Sequence, residues 1–285
     1  MNKVYACIDG RTNSTAVTDA AAWMAKKLSC GLTLTHVIEP QASLPLGADV
    51  TGLIGLGAPD VLLQQMSELE SQRHQLAEQA GWRIVQEAAA RAHQAGVADS
   101  GSIVCHDELS EAVISWQPDA RIFVLGQHRH PGTQTRRHLD HHIEQVVRCV
   151  HRTVMVVPCE TFQAPKEIVV AYDGGQTTQS VVERLAASPV LAGLPVTLLM
   201  VANDTADTRQ TLLHARQKLE ADGRHVETLL SPGTPEDEIL ALLKQRPHSL
   251  LAMGAYGHSR IRELIVGSTT TTLLRLSPVP VLVLR

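Results

Sequence analysis

The chain has 285 residues, of which 44% are hydrophobic and only 3% aromatic, and its formal net charge is −4. This length allows two domains of ordinary size, each with its own core. Because aromatic residues are scarce, the core must be built from Val, Leu, Ile and Ala, which is typical of parallel sheets covered by helices. The mild negative charge, without a basic stripe interleaved with aromatic residues, argues against nucleic acid as a general partner.

The N-terminal residues run directly into a predicted strand. The segment Met1–Asp9 lacks the charged region, long apolar stretch and cleavage site of a signal peptide, and no apolar run reaches membrane length. We therefore expect a cytoplasmic protein without a membrane partner. The cysteines number five and have no Cys-x-x-Cys spacing, so we expect reduced, mostly buried thiols.

In the first half of the chain, short β-branched runs alternate with longer amphipathic segments, as is typical of β-α-β units. Strands are predicted near 3–8, 32–37, 101–105, 121–125 and 153–157. Helices are predicted near 15–29, 60–95, 108–116 and 139–149. The stretch from Pro40 to Pro59, rich in Gly, Pro and Leu, is interpreted as a loop, with an apolar contact surface as the alternative.

The second half shows the same alternation. Strands are predicted near 167–172, 195–201, 225–230, 249–254 and 280–284. Helices are predicted near 177–190, 205–222, 235–244 and 268–276. The short polar stretch Cys159–Pro165 between the halves fits a domain boundary, which predicts domains at 1–158 and 166–285.

The two halves are also similar in sequence. The matching pairs are Val4–Gly10 with Ile168–Gly174, Arg121–Gly126 with Ser249–Gly254, and Thr153–Pro158 with Pro280–Arg285. Their order and spacing agree, so we interpret the chain as two copies of one α/β unit.

A group of glycines and hydroxyls follows the fourth predicted strand of the second half. Gly254, Gly257 and Gly267 precede Ser268 and Thr269 at a predicted helix start. Glycines let the backbone approach an anion, and the N–H groups of a helix N-terminus attract it, so this pattern is typical of a phosphate cradle. The alternative is a glycine-rich turn needed only for close packing of strand and helix.

The ends of neighbouring parallel strands form a crevice where the strand order reverses. Asp173 ends the first strand of the second half and would face Gly254 across that crevice, where it could accept hydrogen bonds from a ribose or a base. The cradle lacks the lysine of a Gly-x-x-x-x-Gly-Lys-Ser/Thr loop, and Asp173-Gly174-Gly175 is not a Gly-x-Gly-x-x-Gly motif. The negative charge of the phosphates would therefore be stabilised by backbone N–H groups, hydroxyls and the helix dipole. A metal ion could also take part.

The spacing Gly254-x2-Gly257-x9-Gly267-Ser268 after an apolar strand resembles the ATP-binding motif of the universal stress protein family. Asp173 and the segment Gly233–Pro235 are also similar to that family. The resemblance extends over the whole chain, as a tandem of two family domains. It implies two doubly wound, five-stranded parallel-sheet domains of the Rossmann-like α/β class, with strand order 3-2-1-4-5, and ATP as the ligand.

The resemblance also implies roles for single residues. Asp173 and the backbone of Val201 would contact the adenosine, and the strand end Ala171–Tyr172 belongs to the same set. The ribose and phosphate path would be lined by Met253, Gly254, Gly257 and His258. The phosphates would be held by Gly267, Ser268, Thr269 and Thr270, and Mg²⁺ could accompany them. Gly175 departs from the family, where a serine is common, and Tyr256 either walls the pocket or faces solvent.

The first half departs further from the motif. Gly126 and Asp9 remain, but Arg129 replaces the second glycine, and Asp140 and His141 fall opposite Gly267 and Ser268. A carboxylate in contact with a phosphate would repel it by roughly 1–4 kcal/mol. We therefore predict that the first half binds no ATP.

The first half is rich in histidine around the same loop. These residues are His128, His130, His138, His141, His142 and His151. His138 and His142 share a helical face, which allows a metal site, but no other ligand stands at a defined spacing, so we interpret the group as an exposed or interface surface without metal.

The resemblance leads to one leading hypothesis and two rivals. The leading hypothesis is a stress-response protein whose second domain binds an adenine nucleotide and changes its interaction with another protein, while the first domain supports assembly. The rivals are a nucleotide-independent interaction protein and a slow ATPase. His258 and Glu263 could orient water, but no nucleophile and base pair is recognisable, so no catalytic residue is assigned. The resemblance also implies that the two units pack like a family dimer around their last strands, Thr153–Val157 and Pro280–Leu284. A homodimer through a further surface stays open.

Overall fold

The computed structural model describes residues 3–40, 58–127, 141–188, 192–221, 223–255 and 267–285, and for 58–63 only the backbone. In the first half the strands are β1 (Lys3–Cys7), β2 (Leu32–Ile38), β3 (Ser100–His106), β4 (Ala120–Gly126) and β5 (Thr153–Val157). The helices are α1 (Ser14–Leu28), α2 (Ala58–Gln94), α3 (Leu109–Trp116) and α4 (His141–Cys149). Every predicted element of this half is present, within two residues of its predicted bounds.

The second half repeats the same order of elements. Its strands are β6 (Glu167–Ala171), β7 (Val196–Val201), β8 (Val226–Ser231), β9 (Ser249–Gly254) and β10 (Val281–Leu284). Its helices are α5 (Gln176–Ala186), α6 (Ala206–Glu220), α7 (Pro235–Gln245) and α8 (Ser268–Leu276). The prediction that α5 continues to residue 190 is wrong, because the residue before Pro189 is disfavoured in a helix and the chain leaves the helix at Ala187.

The strands form one ten-stranded sheet in the order β3-β2-β1-β4-β5-β10-β9-β6-β7-β8. Each half therefore has the order 3-2-1-4-5, which confirms the expected fold class. All neighbours within a half are parallel, whereas β5 and β10 pair antiparallel, with Met155 opposite Leu282. The buried runs of Val, Ile and Leu in these strands suit a sheet that is covered on both faces.

Two apolar layers cover the sheet, one on each face. One layer lies under α1, α2, α5 and α6, and the other under α3, α4, α7 and α8. Both layers run through both halves of the chain. Among the described residues no helix is both long enough and apolar enough to cross a membrane.

The loops after β1 and β6 have the same backbone shape. Gly10 and Gly174 follow the aspartates of the two Asp-Gly pairs with φ of 77° and 79°. A Cβ at Gly10 would lie 2.6 Å from Ile84 Cδ1, and one at Gly174 would lie 2.9 Å from Thr211 Cγ2. The positive φ favours glycine at both positions, and a side chain there would also press against the helix that packs on the loop.

Side chains also join the halves beside the β5–β10 pair. Gln127 follows β4, and its Nε2 donates to the backbone oxygen of Arg275 in α8 at 2.8 Å. Arg285 follows β10, and its guanidinium donates to the backbone oxygens of Val147 and Arg148 near the end of α4. Each half thus supplies a donor to the carbonyl end of a helix of the other half, where the last backbone oxygens have no partner within the helix.

Candidate functional site

A cavity of about 480 Å³ lies at the carboxyl ends of β6, β7 and β9. It opens because the pairing of β6 with β7 stops at Ala171 and Leu199, whereas β7 continues alongside β8 to Val201. Beyond Leu199 the backbone edge of β7 that faces β6 therefore borders the cavity. This is the place where the strand order of the second half reverses, as expected for a ligand site in such a sheet.

Most of the residues named from the sequence lie around this cavity. Those that line it are Ala171, Tyr172, Asp173, Val201, Met253, Gly254, Thr269 and Thr270. Gly267 and Ser268 directly precede Thr269 at the start of α8. Gly257 and His258 lie outside the described residues, as do Tyr256 and Glu263.

Asp173 is held in one orientation at the end of β6. Its Oδ1 accepts a hydrogen bond from the backbone N–H of Gly175 at 2.8 Å and another from the hydroxyl of Thr178 at 2.6 Å. The carboxylate is thereby fixed at the cavity wall by the turn that follows the strand. Thr178 itself lines the cavity and was missed from the sequence, although a hydroxyl in the first turn of the helix after an Asp-Gly pair could have suggested it.

Apolar side chains form the rest of the wall. Ile239 from α7 and Leu273 from α8 are 4% and 1% exposed, and both face the cavity together with Leu199, Met200 and Pro235. Ala202 completes this set, none of which except Pro235 was considered from the sequence. Their apolar pattern in the sequence shows only that these residues are buried. The sequence therefore offers no signal that separates a cavity-lining residue from a core residue.

Tyr172 contributes to the cavity in a different way from Asp173. Its side chain is 6% exposed and belongs to the apolar layer under α5 and α6, on the opposite face of the sheet from Ile239 and Leu273. Burial raises the pKa of its hydroxyl above the ordinary value. The side chain of Tyr172 is therefore a core residue.

The N-terminus of α8 carries the hydroxyls that were predicted to hold phosphate. Gly267 is the N-cap, in an extended conformation with φ −58° and ψ 147°, and no side-chain cap bonds the helix start. By contrast, Thr205 caps α6 through its side chain. The first N–H groups of a helix have no partner within the helix, so the start of α8 directs backbone donors and positive potential outward.

The three hydroxyls at this helix start have different surroundings. Ser268 is exposed. Thr270 is 6% exposed, and its Oγ1 donates to the backbone oxygen of Ala255 at 3.4 Å. Thr269 is half-buried, and its Oγ1 donates to the Glu236 carboxylate at 2.6 Å.

Glu236 was not considered from the sequence. It stands in the first turn of α7, half-buried, 33 residues before Thr269. Its carboxylate is thus fixed beside the proposed phosphate end of the cavity, and no Lys or Arg is among the described residues that line the cavity. Only the packing of α7 against α8 brings the pair together, so no local signal in the sequence could have indicated it.

The equivalent cavity of the first half, of about 390 Å³, contains a salt bridge and a contact between a histidine and a glutamate. Asp9 Oδ1 accepts from the Arg11 backbone N–H at 3.0 Å, and Arg11 Nε lies 3.8 Å from Asp9 Oδ2. His142, the second residue of α4 as Thr269 is of α8, places Nδ1 3.1 Å from Glu39 Oε1. The cavity therefore keeps the Asp-Gly turn but differs in charge from its counterpart.

Several first-half predictions cannot be placed. Arg129, Asp140, His128, His130 and His138 lie outside the described residues. His141 is the first described residue of α4. Within the described part of the chain, no group of three or more His, Cys, Asp or Glu residues is arranged to hold a metal ion.

The fold and the cavity define a tandem of two doubly wound α/β units with a ligand-sized crevice at a topological switch point. The universal stress protein family model matches residues 1–158 and 203–285. Universal stress protein Slr1230 of Synechocystis sp. is 30% identical over 288 residues, and the match covers 100% of both chains. Universal stress protein YxiE of Bacillus subtilis is 35% identical over 74 residues, 26% of this chain and 50% of that protein.

Solved structures agree with these matches. A universal stress protein from Archaeoglobus fulgidus superposes with a TM-score of 0.71 at 22% identity, covering 100% of this chain and 98% of that one. A universal stress protein from Pseudomonas aeruginosa gives a TM-score of 0.64 at 11% identity, covering 100% of this chain and 93% of that one. The chain therefore belongs to the universal stress protein family, as a tandem member with both units on one polypeptide.

Proposed function

We propose that the second-half cavity binds an adenine nucleotide, ATP, and that its occupancy controls an interaction with another protein during the response to stress. The observation that carries this proposal is the combination of a fixed carboxylate, Asp173, and an uncapped helix start at Gly267 on one cavity of about 480 Å³. A cavity of this volume is within the range of small-molecule sites.

The cavity residues fit the parts of the nucleotide. Asp173 would accept hydrogen bonds from ribose hydroxyls, and the backbone edge at Val201 would bond the adenine. Ile239 and Leu273 supply apolar surface for the base. The N–H groups and hydroxyls from Gly267 to Thr270 would hold the phosphates, as helix N-termini commonly do. Oxygen atoms of the phosphates and of Glu236 are ligands that Mg²⁺ favours, so the cation would accompany ATP.

The first half would act without ATP. Arg11 pairs with Asp9. Glu39 contacts His142, and His142 stands at the position that Thr269 occupies in the second half. In the alignment of the two halves Asp140 falls opposite Gly267, and a carboxylate at the start of the helix would repel phosphates. We therefore assign to the first half a supporting role in the shared sheet, and to the whole chain a cytoplasmic location.

Isothermal titration calorimetry of matched variants tests the proposal. Asp173→Asn keeps an acceptor for Gly175 and Thr178 but removes the charge, and it should weaken ATP binding about tenfold, because hydrogen bonds to charged groups contribute about 1.5–3 kcal/mol against about 1 for neutral ones. Gly267→Asp should abolish ATP binding, because it places a carboxylate at the helix start. Asp9→Asn is the matched control in the first half and should leave binding unchanged.

Two results would contradict the proposal. One is the lack of any heat of binding for ATP, ADP or adenosine at millimolar ligand. The other is equal loss of affinity in Asp9→Asn and Asp173→Asn. Mass spectrometry of ligand released from the purified protein is an independent check, since a copurifying adenine nucleotide would separate this function from a nucleotide-independent interaction protein.

A further inference from the structure

Helix α2 is much longer than the sheet requires. It has 37 residues, whereas α6 in the same place of the second half has 15. The residues that it buries against β2 and β3, including Val85, Ala88 and Ala92, lie in its C-terminal part. From residue 64 to residue 80, every side chain is exposed except those of Met66 and Ala77, which are half-buried.

This exposed part carries a second apolar stripe. Leu69 and Leu76 leave 64% and 66% of their surface exposed, although they are large apolar side chains. At about 100° per residue they lie within about 20° of each other, and Met66 and Ala80 lie within about 60° of Leu69. Around the helix, the buried residue Val85 lies about 160° from Leu69 and about 180° from Leu76, and about 100° from Met66. The two leucines therefore lie on the side of the helix away from Val85, and Met66 lies at the border of the stripe.

We call Met66, Leu69, Arg73, Leu76 and Ala80 the outer stripe. Its residues alternate at spacings of three and four, which is the pattern of helices that pack side by side in a coiled coil. One member, Arg73, is charged, and this charge restricts which partner helix can fit.

A second copy of the same helix fits when it runs antiparallel. Met66 then lies opposite Leu76, and Leu69 lies opposite Arg73, so each layer contains an apolar residue from at least one copy. Arg73 of each copy comes beside Glu70 of the other, and the flanking residues Gln65, Gln72 and Gln79 are uncharged. A parallel pair would instead bring the two Arg73 side chains together, which is unfavourable.

We propose that two copies of the chain associate through the outer stripe as an antiparallel helix pair. This contact is independent of the β5–β10 pair, which lies within one chain. The stripe spans 15 residues, or about 22 Å of helix, so the contact is short and the dimer should dissociate at low concentration.

Sedimentation velocity over a concentration series tests the proposal on the full chain. The wild-type protein should form a reversible dimer at micromolar concentrations. The double substitution Leu69→Ser and Leu76→Ser should raise the dissociation constant at least about tenfold, because it removes the exposed leucines that the contact buries. Leu213→Ser is the matched control, since Leu213 on α6 is also an exposed leucine, at 49%, and its loss should leave the dimer intact.

Charge exchange tests the orientation of the pair. Arg73→Glu alone should weaken the dimer, because it faces Glu70 of the other copy, and Glu70→Arg alone should weaken it as well. The double variant Arg73→Glu with Glu70→Arg should recover the wild-type dissociation constant. In a parallel pair like charges face each other at position 73 both before and after Arg73→Glu, so that single substitution should leave the dissociation constant nearly unchanged, and a loss followed by recovery is expected only for the antiparallel pair.

Three outcomes would overturn the proposal. The wild-type protein could be monomeric at all concentrations. It could form a dimer that Leu69→Ser with Leu76→Ser leaves unchanged. Alternatively, the wild-type protein could be a monomer, and the double variant could be a monomer with a lower thermal midpoint. This result would show that another part of the same chain, for example residues 41–57, covers the outer stripe.

Discussion

At the scale of single residues, the contact between Glu236 and Thr269 would affect which nucleotides the cavity accepts under the proposed function. A carboxylate in contact with phosphate oxygens opposes them by roughly 1 kcal/mol in bulk water and by roughly 4 kcal/mol at an effective dielectric constant near 20, unless a cation lies between. Glu236→Gln keeps the acceptor for the Thr269 hydroxyl but removes this charge. We expect it to raise the affinity for ATP about tenfold in the absence of Mg²⁺ and to leave the affinity for adenosine unchanged.

Calorimetry with ATP and adenosine, each with and without Mg²⁺, measures these four affinities. Asp237→Asn is the control, because Asp237 is the next residue of the same helix turn and is exposed. An equal gain for adenosine, or an equal gain in Asp237→Asn, would show that Glu236 does not act on the phosphates. A gain for ATP that disappears with Mg²⁺ would support a cation held between Glu236 and the nucleotide.

At the scale of elements, Arg246 joins three strands of the second half at the end of α7. Its Nη1 lies 2.7 Å from both Glu167 Oε2 in β6 and Thr197 Oγ1 in β7, and its Nη2 lies 2.8 Å from Glu227 Oε2 in β8. The hydrogen bond from Arg246 lowers the pKa of Glu227. A carboxylate with a lowered pKa stabilises the fold above its unfolded pKa, and this contribution is lost as the pH falls through the folded value.

Replacement of Arg246 should therefore lower the free energy of unfolding by an amount that depends on pH. We expect Arg246→Gln to lower stability by about 1 kcal/mol near neutral pH, a modest value because Glu227 is partly exposed and screened by solvent. Thermal melts from neutral pH down to below the ordinary Glu pKa should show the gap to wild type closing at the acid end. Arg209→Gln, which removes a pair with the exposed Asp204, is the control and should leave the midpoint unchanged. A gap independent of pH would contradict this role of Glu227.

The elements and their order could be predicted because the local pattern is strong. β-Branched runs mark the strands, and the Asp9-Gly10 and Asp173-Gly174 pairs mark the ends of β1 and β6. The cavity could be predicted only in part. Ile239 and Leu273 line it, and Glu236 contacts the lining residue Thr269, only because α7 packs against α8, which is a tertiary effect without a local signal. In the same way, the sequence suggested that the last strands of the two halves pack together, but not that they join in one sheet.

At the scale of the whole molecule, the β5–β10 pair should couple the stability of the two halves. Leu282 of β10 lies opposite Met155 of β5, and the two are 4% and 0% exposed. Leu282→Ala should destabilise the protein by about 2–5 kcal/mol, the usual cost of such a cavity in a core. Because the strands are paired, we expect the first half to unfold together with the second.

Intrinsic fluorescence can detect this coupling directly. All three tryptophans, Trp23, Trp82 and Trp116, belong to the first half, whereas circular dichroism reports on both halves. Leu282→Ala should lower the denaturation midpoint by both methods to the same extent, and Leu213→Ala, at an exposed leucine, should change neither. A fluorescence midpoint that stays at the wild-type value would show that the halves unfold independently.

Joining the halves in one polypeptide also affects how the protein can evolve. When a single gene encodes both subunits of a symmetric dimer, each substitution appears in both subunits. A substitution that abolishes binding in one crevice therefore abolishes it in the other. Here Arg11 and His142 occur in the first half, and the second half has no arginine or histidine at the corresponding positions. Selection can thus relax on one crevice while both continue to supply strands to the common scaffold.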